Sequence, residues 1–189
     1  DVIAGQGTVA KEVYEKLEGK LDFVVACVGG GGLISGIASY FAEVAPDVQV
    51  IGSEPSGAAG MAAALLEGKP VALQGMDTFV DGAAVARVGE QTYAICKEHV
   101  DEFVSVPEGK VCKTMIDLYQ NEGIIAEPAG ALAVAALDSI ADQIEGKTVV
   151  CTLSGENNDL MRYPEVLERS LVWQGLKHYF IVNFAQKPG

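Results

Sequence analysis

Four consecutive glycines, Gly29, Gly30, Gly31 and Gly32, follow an apolar run and precede Leu33 in the stretch CVGGGGL. Glycine loses more conformational freedom on folding than any other residue, so such a run is expected where side chains would obstruct something. A strand followed by glycines and a helix aims unpaired backbone N–H groups and the positive end of the helix dipole at an anion. The run therefore predicts a phosphate-binding loop made of backbone amides. The alternative is a tight strand-to-helix turn, which would need fewer glycines.

The residues that follow the glycines restrict the class of phosphate-containing ligand. The loop lacks the Gly-Lys-Ser/Thr ending of a nucleoside-triphosphate loop. A dinucleotide-binding fingerprint fits in part, since Gly30, Gly32 and Ser35 have its spacing and Glu54 ends the next apolar run. That fingerprint has glycine or alanine where Ser35 stands, which weakens the match. Because the remaining positions agree, a nicotinamide-dependent oxidoreductase remains an alternative at this point.

A second candidate lies in the stretch KTVVCTLSGENN, residues 147–158. Its apolar run predicts a buried strand that ends at Ser154, and ligands of parallel sheets bind at the carboxyl ends of strands. A single serine at a strand end is more often a helix cap or a turn residue. Together with the glycine loop, Ser154 becomes a candidate ligand-binding hydroxyl.

Short β-rich runs and longer helical segments alternate along the chain, which predicts an α/β fold with a parallel sheet. The predicted strands are 22–28, 48–54, 102–107 and 147–155, with a further alternating strand over 177–189. The predicted helices are 7–20, 32–45, 57–69, 88–100, 109–123, 129–141 and 163–176.

Composition excludes several classes of protein. The 189 residues carry a net charge of −13 without a Lys/Arg cluster, so we expect neither nucleic-acid binding nor, for want of a long apolar run, a membrane span. The four cysteines are scattered and only His99 and His178 are available, which disfavours a disulfide scaffold, a metal centre or a Ser-His-Asp triad. The first residues lack a signal-peptide pattern, and we expect a cytoplasmic protein.

The segments CVGGGGLISG, DGAAVARVGE, NEGIIAEPAGALA and CTLSGENND occur in an order and at spacings similar to those of the threonine dehydratase family, and the resemblance covers essentially the whole chain. It implies a tryptophan-synthase-β-like, three-layer αβα fold with a mainly parallel sheet, of which this chain is the large lobe, and pyridoxal 5'-phosphate as cofactor. The implied reaction is the β-elimination of L-threonine to 2-oxobutanoate and ammonia, the first step of isoleucine biosynthesis. A serine/threonine dehydratase or racemase relative is the alternative within this fold.

The resemblance also assigns roles to individual residues. Gly29 to Gly32 and Leu33 would bind the cofactor phosphate through backbone amides, and Ser154 would hydrogen-bond the pyridine nitrogen. Gly82, in VDGAAV, would lie near the cofactor or be a plain turn glycine. Glu127, in AEPAG, would lie beside the ring or, as we favour, begin a helix with Pro128 at its first position. Asn157 and Asn158 would tie down the Ser154 loop.

Two departures from the family are visible. Glu156 stands next to the pyridine site where the family often has a small residue, so it must point outward or bring charge close to the ring. Related enzymes bind a divalent cation with acidic residues after the second strand, whereas here only Glu54 matches and Gly60 takes the later position. One carboxylate is a poor site for a hard cation, and we predict no tight metal site.

The Schiff-base lysine of the family lies in a Ser-x-Lys-x-Arg-Gly segment that these residues do not contain. We therefore identify no catalytic residue and expect the chain to be inactive alone, with the N-terminal half of the same protein as a partner. Residues 1–175 would be the C-terminal part of the catalytic domain, and 176–189 the start of an ACT-like regulatory domain. The other expected partners are an amino-acid substrate and further copies of the protein, as a dimer or tetramer. The alternating Phe180, Val182 and Phe184 predict that the last strand pairs with another chain or with the body of this one.

Overall fold

The computed structural model of the chain describes residues 1–155 and 158–184. Four parallel strands form its sheet in the order β3-β2-β1-β4. The strands are β1 (Phe23–Cys27), β2 (Gln49–Pro55), β3 (Glu102–Val106) and β4 (Val149–Cys151). In register, Phe23 lies opposite Gln49 on one side of β1 and opposite Val149 on the other. The predicted α/β class with a parallel sheet is confirmed.

Helices connect the strands and cover both faces of the sheet. They are α1 (Val2–Lys16), α2 (Gly32–Val44), α3 (Gly60–Glu67), α4 (Glu90–His99), α5 (Glu108–Asp117), α6 (Pro128–Ala135), α7 (Ala141–Ile144) and α8 (Tyr163–Trp173). Short turns of 3-10 or π helix lie at Ser56–Ala58, Leu118–Glu122, Leu137–Ile140 and Leu160–Arg162. Within the described residues, no helix has the length and apolar character required to cross a membrane.

Alternate residues of the strands supply two separate hydrophobic cores, because successive side chains of a strand point to opposite faces. Val24 and Ala26 pack with residues of α1 to α4, whereas Val25 packs with residues of α5, α6 and α8. The strand β1 is therefore buried on both faces, which explains its continuous apolar sequence. This arrangement confirms the three-layer αβα architecture.

Helix α1 begins at Val2, five residues before the predicted start at Gly7. Glycines weaken a helix, yet Gly7 lies inside α1 and Gly36 inside α2. The structure shows why Gly7 and Gly36 are tolerated: a Cβ on Gly36 would lie 2.4 Å from the carbonyl oxygen of Ile3, and one on Gly7 would lie 3.2 Å from that of Gly36. The two glycines let α1 and α2 approach backbone to backbone.

The predicted strand at the end of the chain is wrong over residues 177–184, which form neither strand nor helix. Phe180, Ile181 and Phe184 are 83%, 93% and 85% exposed. Alternation makes a strand only where a neighbouring edge supplies hydrogen bonds, and this segment pairs with no strand of the described chain. Residues 185–189 lie outside the described range. Pairing with another chain and the boundary near residue 175 stay predictions.

Candidate functional site

The loops after β1 and β4 leave the same edge of the sheet side by side. The strand that follows β1 in the chain, β2, lies on one side of it, and β4 lies on the other. The direction of winding therefore reverses between β1 and β4, and open parallel sheets bind ligands in the crevice at such a point. The glycine run follows β1. The predicted buried strand ending at Ser154 is wrong in extent, since β4 ends at Cys151 and is half-buried. Ser154 lies in the loop after β4, so the two sequence-predicted features still flank this crevice.

The glycine run ends at the N-terminus of α2, a helix of 13 residues. Gly31 is the N-cap residue with φ +88°, a left-handed conformation that strongly favours glycine, and no side chain of the described chain caps the helix. The first amides of α2 are thus left for an anion, and the helix dipole adds to the attraction. Leu33 is half-buried against the core on the α1–α4 side of the sheet.

The space around each glycine of the loop shows where a side chain could be added. A Cβ on Gly29 would lie 3.0 Å from Cα of Ala83, and one on Gly31 would lie 2.7 Å from Cε of Met61. A Cβ on Gly30 would meet no atom within 4 Å. A side chain on Gly29 would crowd the backbone of Ala83, and the left-handed φ of Gly31 favours glycine, while Gly30 presents bare backbone to open space. This shape admits a phosphate group.

Thr92, in the first turn of α4, contacts the glycine loop and was not predicted from the sequence. Its Oγ1 donates to the carbonyl oxygen of Gly30 at 2.7 Å and lies 3.1 Å from that of Gly89. The same residue packs against Gly31, where a Cβ would lie 3.0 Å from Cβ of Thr92. The segment DGAAVARVGE ends at Glu90, the first residue of α4. No local pattern indicated a contact across 62 residues of sequence.

The remaining candidates meet in one continuous cluster. A Cβ on Gly29 would lie 3.3 Å from the carbonyl oxygen of Gly82, and one on Gly82 would lie 3.8 Å from Oε1 of Glu127. Glu127 in turn contacts Gly155, whose φ is +76° and whose Cβ would lie 2.3 Å from the same Oε1. The structure therefore brings the glycine loop, Gly82, Glu127 and the Ser154 loop together, as the sequence analysis required.

Glu127 begins α6 as its N-cap residue with Pro128 in the first turn, which confirms the favoured interpretation. Its N–H donates to the carbonyl oxygen of Gly155 at 2.7 Å, but its side chain makes no capping hydrogen bond among the described residues. The carboxylate lies between Gly82 and Gly155 instead. Burial, followed by the charge of Glu127, raises the pKa of Cys27 at the end of β1. Glu127 therefore lies between the loops that border the crevice, and its contact with a cofactor ring stays a prediction.

The side chain of Ser154 is exposed at the rim of the crevice. Its carbonyl packs into α6 where a Cβ on Gly130 would lie, only 1.5 Å away. Gly130 is thus a second residue that the sequence analysis missed, and the signal was a lone glycine inside the alanine-rich helix AEPAGALA. The side-chain amide of Asn158 is buried, while Glu156 and Asn157 lie outside the described residues.

Glu54 is turned into the fold and away from the role that a dinucleotide site would give it. It is 1% exposed, and its two carboxylate oxygens accept from the N–H groups of Met61 at 2.7 Å and Ala62 at 2.8 Å. Burial raises the pKa of Glu54, and these N–H groups offset part of that effect. Because the carboxylate caps α3, it is not free to bind a ribose hydroxyl. The residues that the structure describes contain no cluster of three His, Cys, Asp or Glu able to hold a metal ion.

Residues 1–155 match the sequence family described as pyridoxal-phosphate dependent enzyme. The chain belongs to this family. Its cofactor is therefore a phosphate ester, as the glycine loop predicted. The chain is 50% identical over 188 residues to the biosynthetic L-threonine dehydratase IlvA of Halalkalibacterium halodurans, and 52% identical over 191 residues to that of Staphylococcus aureus. These matches cover 100% and 99% of this chain and 45% of each relative, so the chain spans about half the length of the curated relatives it matches.

Solved structures of the family have the same fold. The processed threonine deaminase isoform 2 of Solanum lycopersicum is 39% identical with a TM-score of 0.84, over 89% of this chain and 49% of that one. Serine racemase of Dictyostelium discoideum is 35% identical with a TM-score of 0.75, over 84% and 51%. The tryptophan-synthase-β-like fold expected from the resemblance is confirmed.

The residues present fit a pyridoxal phosphate. The bare backbone at Gly30 and the uncapped amides of α2 suit its phosphate. Across the crevice, the Ser154 loop offers a neutral hydroxyl, which can both donate and accept a hydrogen bond. The assignment of these residues to the cofactor rests on this geometry and on the family resemblance.

Proposed function

We propose that this chain forms the phosphate-binding part of a threonine ammonia-lyase, which deaminates L-threonine to 2-oxobutanoate and ammonia. The observation that carries the proposal is the juxtaposition of the glycine loop and Ser154 across the crevice between β1 and β4. The similarity of at least 50% to two biosynthetic threonine dehydratases along essentially the whole chain supports the choice of substrate. This reaction would serve isoleucine biosynthesis.

In this proposal the backbone amides of Gly29 to Gly32 and Leu33 bind the cofactor phosphate. Pyridoxal phosphate, when bound, supplies an electron sink for negative charge at the substrate α-carbon. Ser154 keeps its own proton at Oγ, because a hydroxyl is far too weak an acid to protonate a pyridine nitrogen. A neutral ring withdraws electrons less strongly than a charged one, which favours loss of the substrate hydroxyl over side reactions.

The proposal places the reactive lysine outside these 189 residues. None of the ten lysines of the chain lies in the Ser-x-Lys-x-Arg-Gly context of the family. We therefore propose that the chain acts only together with the other half of its protein, and that residues 176–189 begin a regulatory domain. A homo-oligomeric state and a cytoplasmic location complete the proposal.

A racemase or a dehydratase that prefers serine is the second candidate. It is favoured by the 35% identity and TM-score of 0.75 to Dictyostelium serine racemase. The cluster of Gly82, Glu127 and Ser154 does not by itself distinguish the two substrates.

Product analysis on the full-length protein, with pyridoxal phosphate added, tests the proposal. L-Threonine should yield 2-oxobutanoate and ammonia faster than L-serine yields pyruvate, and chiral chromatography should find no D-serine. The same assay on the 189-residue chain should give no product. Preferential formation of D-serine, or of pyruvate from L-serine, would establish the second candidate. Turnover by the 189-residue chain would contradict the placement of the lysine.

A further inference from the structure

Two arginines near the end of the described chain, Arg162 and Arg169, pack against the segment that carries Gly82. The guanidinium groups of Arg162 and Arg169 lie over the ring of Phe79, with their Cζ atoms 5.1 Å and 4.3 Å from its centroid. Phe79 is 5% exposed, and the arginines come from the 3-10 turn before α8 and from α8 itself. We call Arg162, Arg169 and Phe79, with their partners Asp77 and Asp81, the Phe79 clamp.

Arg169 and Asp77 form the outer part of the clamp. Nη1 of Arg169 lies 2.8 Å from Oδ2 of Asp77, while Oδ1 of Asp77 accepts from the N–H of Phe79 at 2.8 Å. Partial burial acts to raise the pKa of Asp77, but the hydrogen bonds from Arg169 and Phe79 and the arginine charge outweigh it and hold that pKa below its usual range. This half of the clamp anchors the segment to α8.

Arg162 and Asp81 form the inner part, which reaches the site. Arg162 donates to the carbonyl oxygen of Phe79, and its Nη1 lies 3.3 Å from both carboxylate oxygens of Asp81. Oδ1 of Asp81 also accepts from the N–H of Gly82 at 3.1 Å. A chain of hydrogen bonds thus leads from Arg162 through Asp81 to the backbone of Gly82, which packs against Gly29.

Arg162 connects two segments that border the crevice. The 3-10 turn Leu160–Arg162 follows the Ser154 loop, so Arg162 ties the Gly82 segment to the chain that leaves β4. An ion pair with a carboxylate as exposed as that of Asp81, at 67%, contributes little to stability. A guanidinium that binds a carbonyl and a carboxylate together instead fixes geometry, because its donors form a rigid planar fork.

We propose that Arg162 and Asp81 are a positioning pair that holds Gly82 against the glycine loop and so sets the distance between the phosphate cradle and the Ser154 side of the crevice. The consequence for cofactor binding rests on the proposed function. A ligand that spans the crevice depends on that distance, whereas a ligand that occupies only the cradle does not. Pyridoxal phosphate is of the first kind and inorganic phosphate of the second.

The test compares Arg162→Gln and Asp81→Asn in the full-length protein freed of cofactor. A matched control is Arg87→Gln, since Arg87 also pairs with a nearby carboxylate, that of Glu90, but lies outside the clamp. We expect Arg162→Gln and Asp81→Asn to weaken pyridoxal phosphate binding about tenfold, the effect of one charge-assisted hydrogen bond. Binding of inorganic phosphate should stay within about twofold of the wild type, and Arg87→Gln should change neither.

Two further measurements separate positioning from a merely structural role. The double variant should bind pyridoxal phosphate no more weakly than either single variant, because the two residues act through one connection. Amide hydrogen exchange at Gly82 and Ala83 should accelerate in both single variants without ligand, and not in Arg87→Gln. Asp81 is exposed, so Asp81→Asn remains informative if Arg162→Gln fails to fold.

The outcomes that would overturn the proposal are distinct from failure of the proposed function. Wild-type affinity for pyridoxal phosphate in both variants, or equal weakening of phosphate and pyridoxal phosphate, would overturn the positioning pair. If the wild type itself binds no pyridoxal phosphate, the proposed function fails. Hydrogen exchange at Gly82 then still decides, since unchanged exchange in Arg162→Gln and Asp81→Asn overturns the pair.

Discussion

Gly30 and Gly31 are neighbours with opposite constraints. Gly31 needs φ +88° and has Met61 and Thr92 against it, whereas a methyl group on Gly30 would enter open space. We expect Gly30→Ala to keep or slightly raise the stability of the fold, by up to about 1 kcal/mol, because alanine has fewer unfolded conformations. The methyl should at the same time weaken phosphate binding by about tenfold, an effect of about 1.4 kcal/mol. Calorimetric titration with inorganic phosphate and thermal unfolding measure the two effects.

Gly5→Ala is the matched control for that substitution. Gly5 lies in α1, and a Cβ there would also meet no atom within 4 Å. It should stabilise the protein without any change in phosphate affinity. Undiminished phosphate binding by Gly30→Ala would show that the open space at this residue is not the cradle.

The hydroxyl of Thr92 is the second residue-scale test. Thr92→Val keeps the shape of the side chain and removes the hydrogen bond to Gly30, which contributes about 1 kcal/mol. We expect phosphate affinity to fall by about fivefold, because the loop loses the contact that orients its carbonyl. Thr8→Val removes a comparable hydrogen bond, at 2.7 Å to the carbonyl oxygen of Gly5, from the exposed surface of α1. Equal phosphate affinity in the two variants would contradict the role of Thr92.

The residues that would contact the cofactor could be predicted from the sequence, whereas the residues that support them could not. The glycine run and Ser154 could be predicted because their types and positions suit anion and ligand binding, whereas Gly82 and Glu127 were assigned only by the resemblance to the family. Thr92 and Gly130 act through contacts with Gly30 and with the Ser154 carbonyl, far away along the chain. Such contacts depend on tertiary packing, which no local pattern contains.

At the scale of elements, α3 is held by a buried carboxylate. Glu54→Gln replaces one acceptor oxygen by an amide donor that faces the N–H group of either Met61 or Ala62, so we expect a loss of about 1–3 kcal/mol. Because burial raises the pKa of Glu54 in the folded state, the folded protein binds that proton more tightly than the unfolded chain. Wild-type stability relative to Glu54→Gln should therefore fall as pH rises from the ordinary value of 4.5 to the raised pKa, and then stay constant.

Urea unfolding of both proteins across this pH range measures the difference. Glu108→Gln serves as the control, since Glu108 accepts from the N–H of Gly57 at 2.7 Å at a half-buried position. If the stability of the wild type relative to Glu54→Gln instead rises with pH, the assignment of the pKa shift to burial is wrong.

Elements were predicted well where local pattern and tertiary context agree. Strands β1 to β3 and helix α2 lie within a residue or two of their predicted bounds, because each is a continuous or periodic apolar run bounded by turn residues. Helix α1 starts earlier than predicted, since its glycines serve the contact with α2. The terminal strand failed because alternation does not supply a partner.

At the scale of the whole molecule, the cysteines report on the integrity of the fold. Burial raises the pKa of Cys112 to about 12 and those of Cys96 and Cys151 to about 11. Thiolate is the reactive form, so at pH 8 we expect iodoacetamide to alkylate these three residues only when the protein unfolds. Mass spectrometry of the native and urea-treated protein checks this. Prompt alkylation of Cys112 under native conditions would contradict the packing of the core beneath α5.

The backbone contact between Gly36 and Ile3 bears on how the protein meets its ligand. Helix α2 packs closely along its flank against α1, so we expect the helix whose N-terminus faces the proposed phosphate site to be ordered before an anion binds. Its ordering entropy is lost during folding and not during association. The site should then be preformed, and the backbone of α2 should have the same conformation with and without a bound anion.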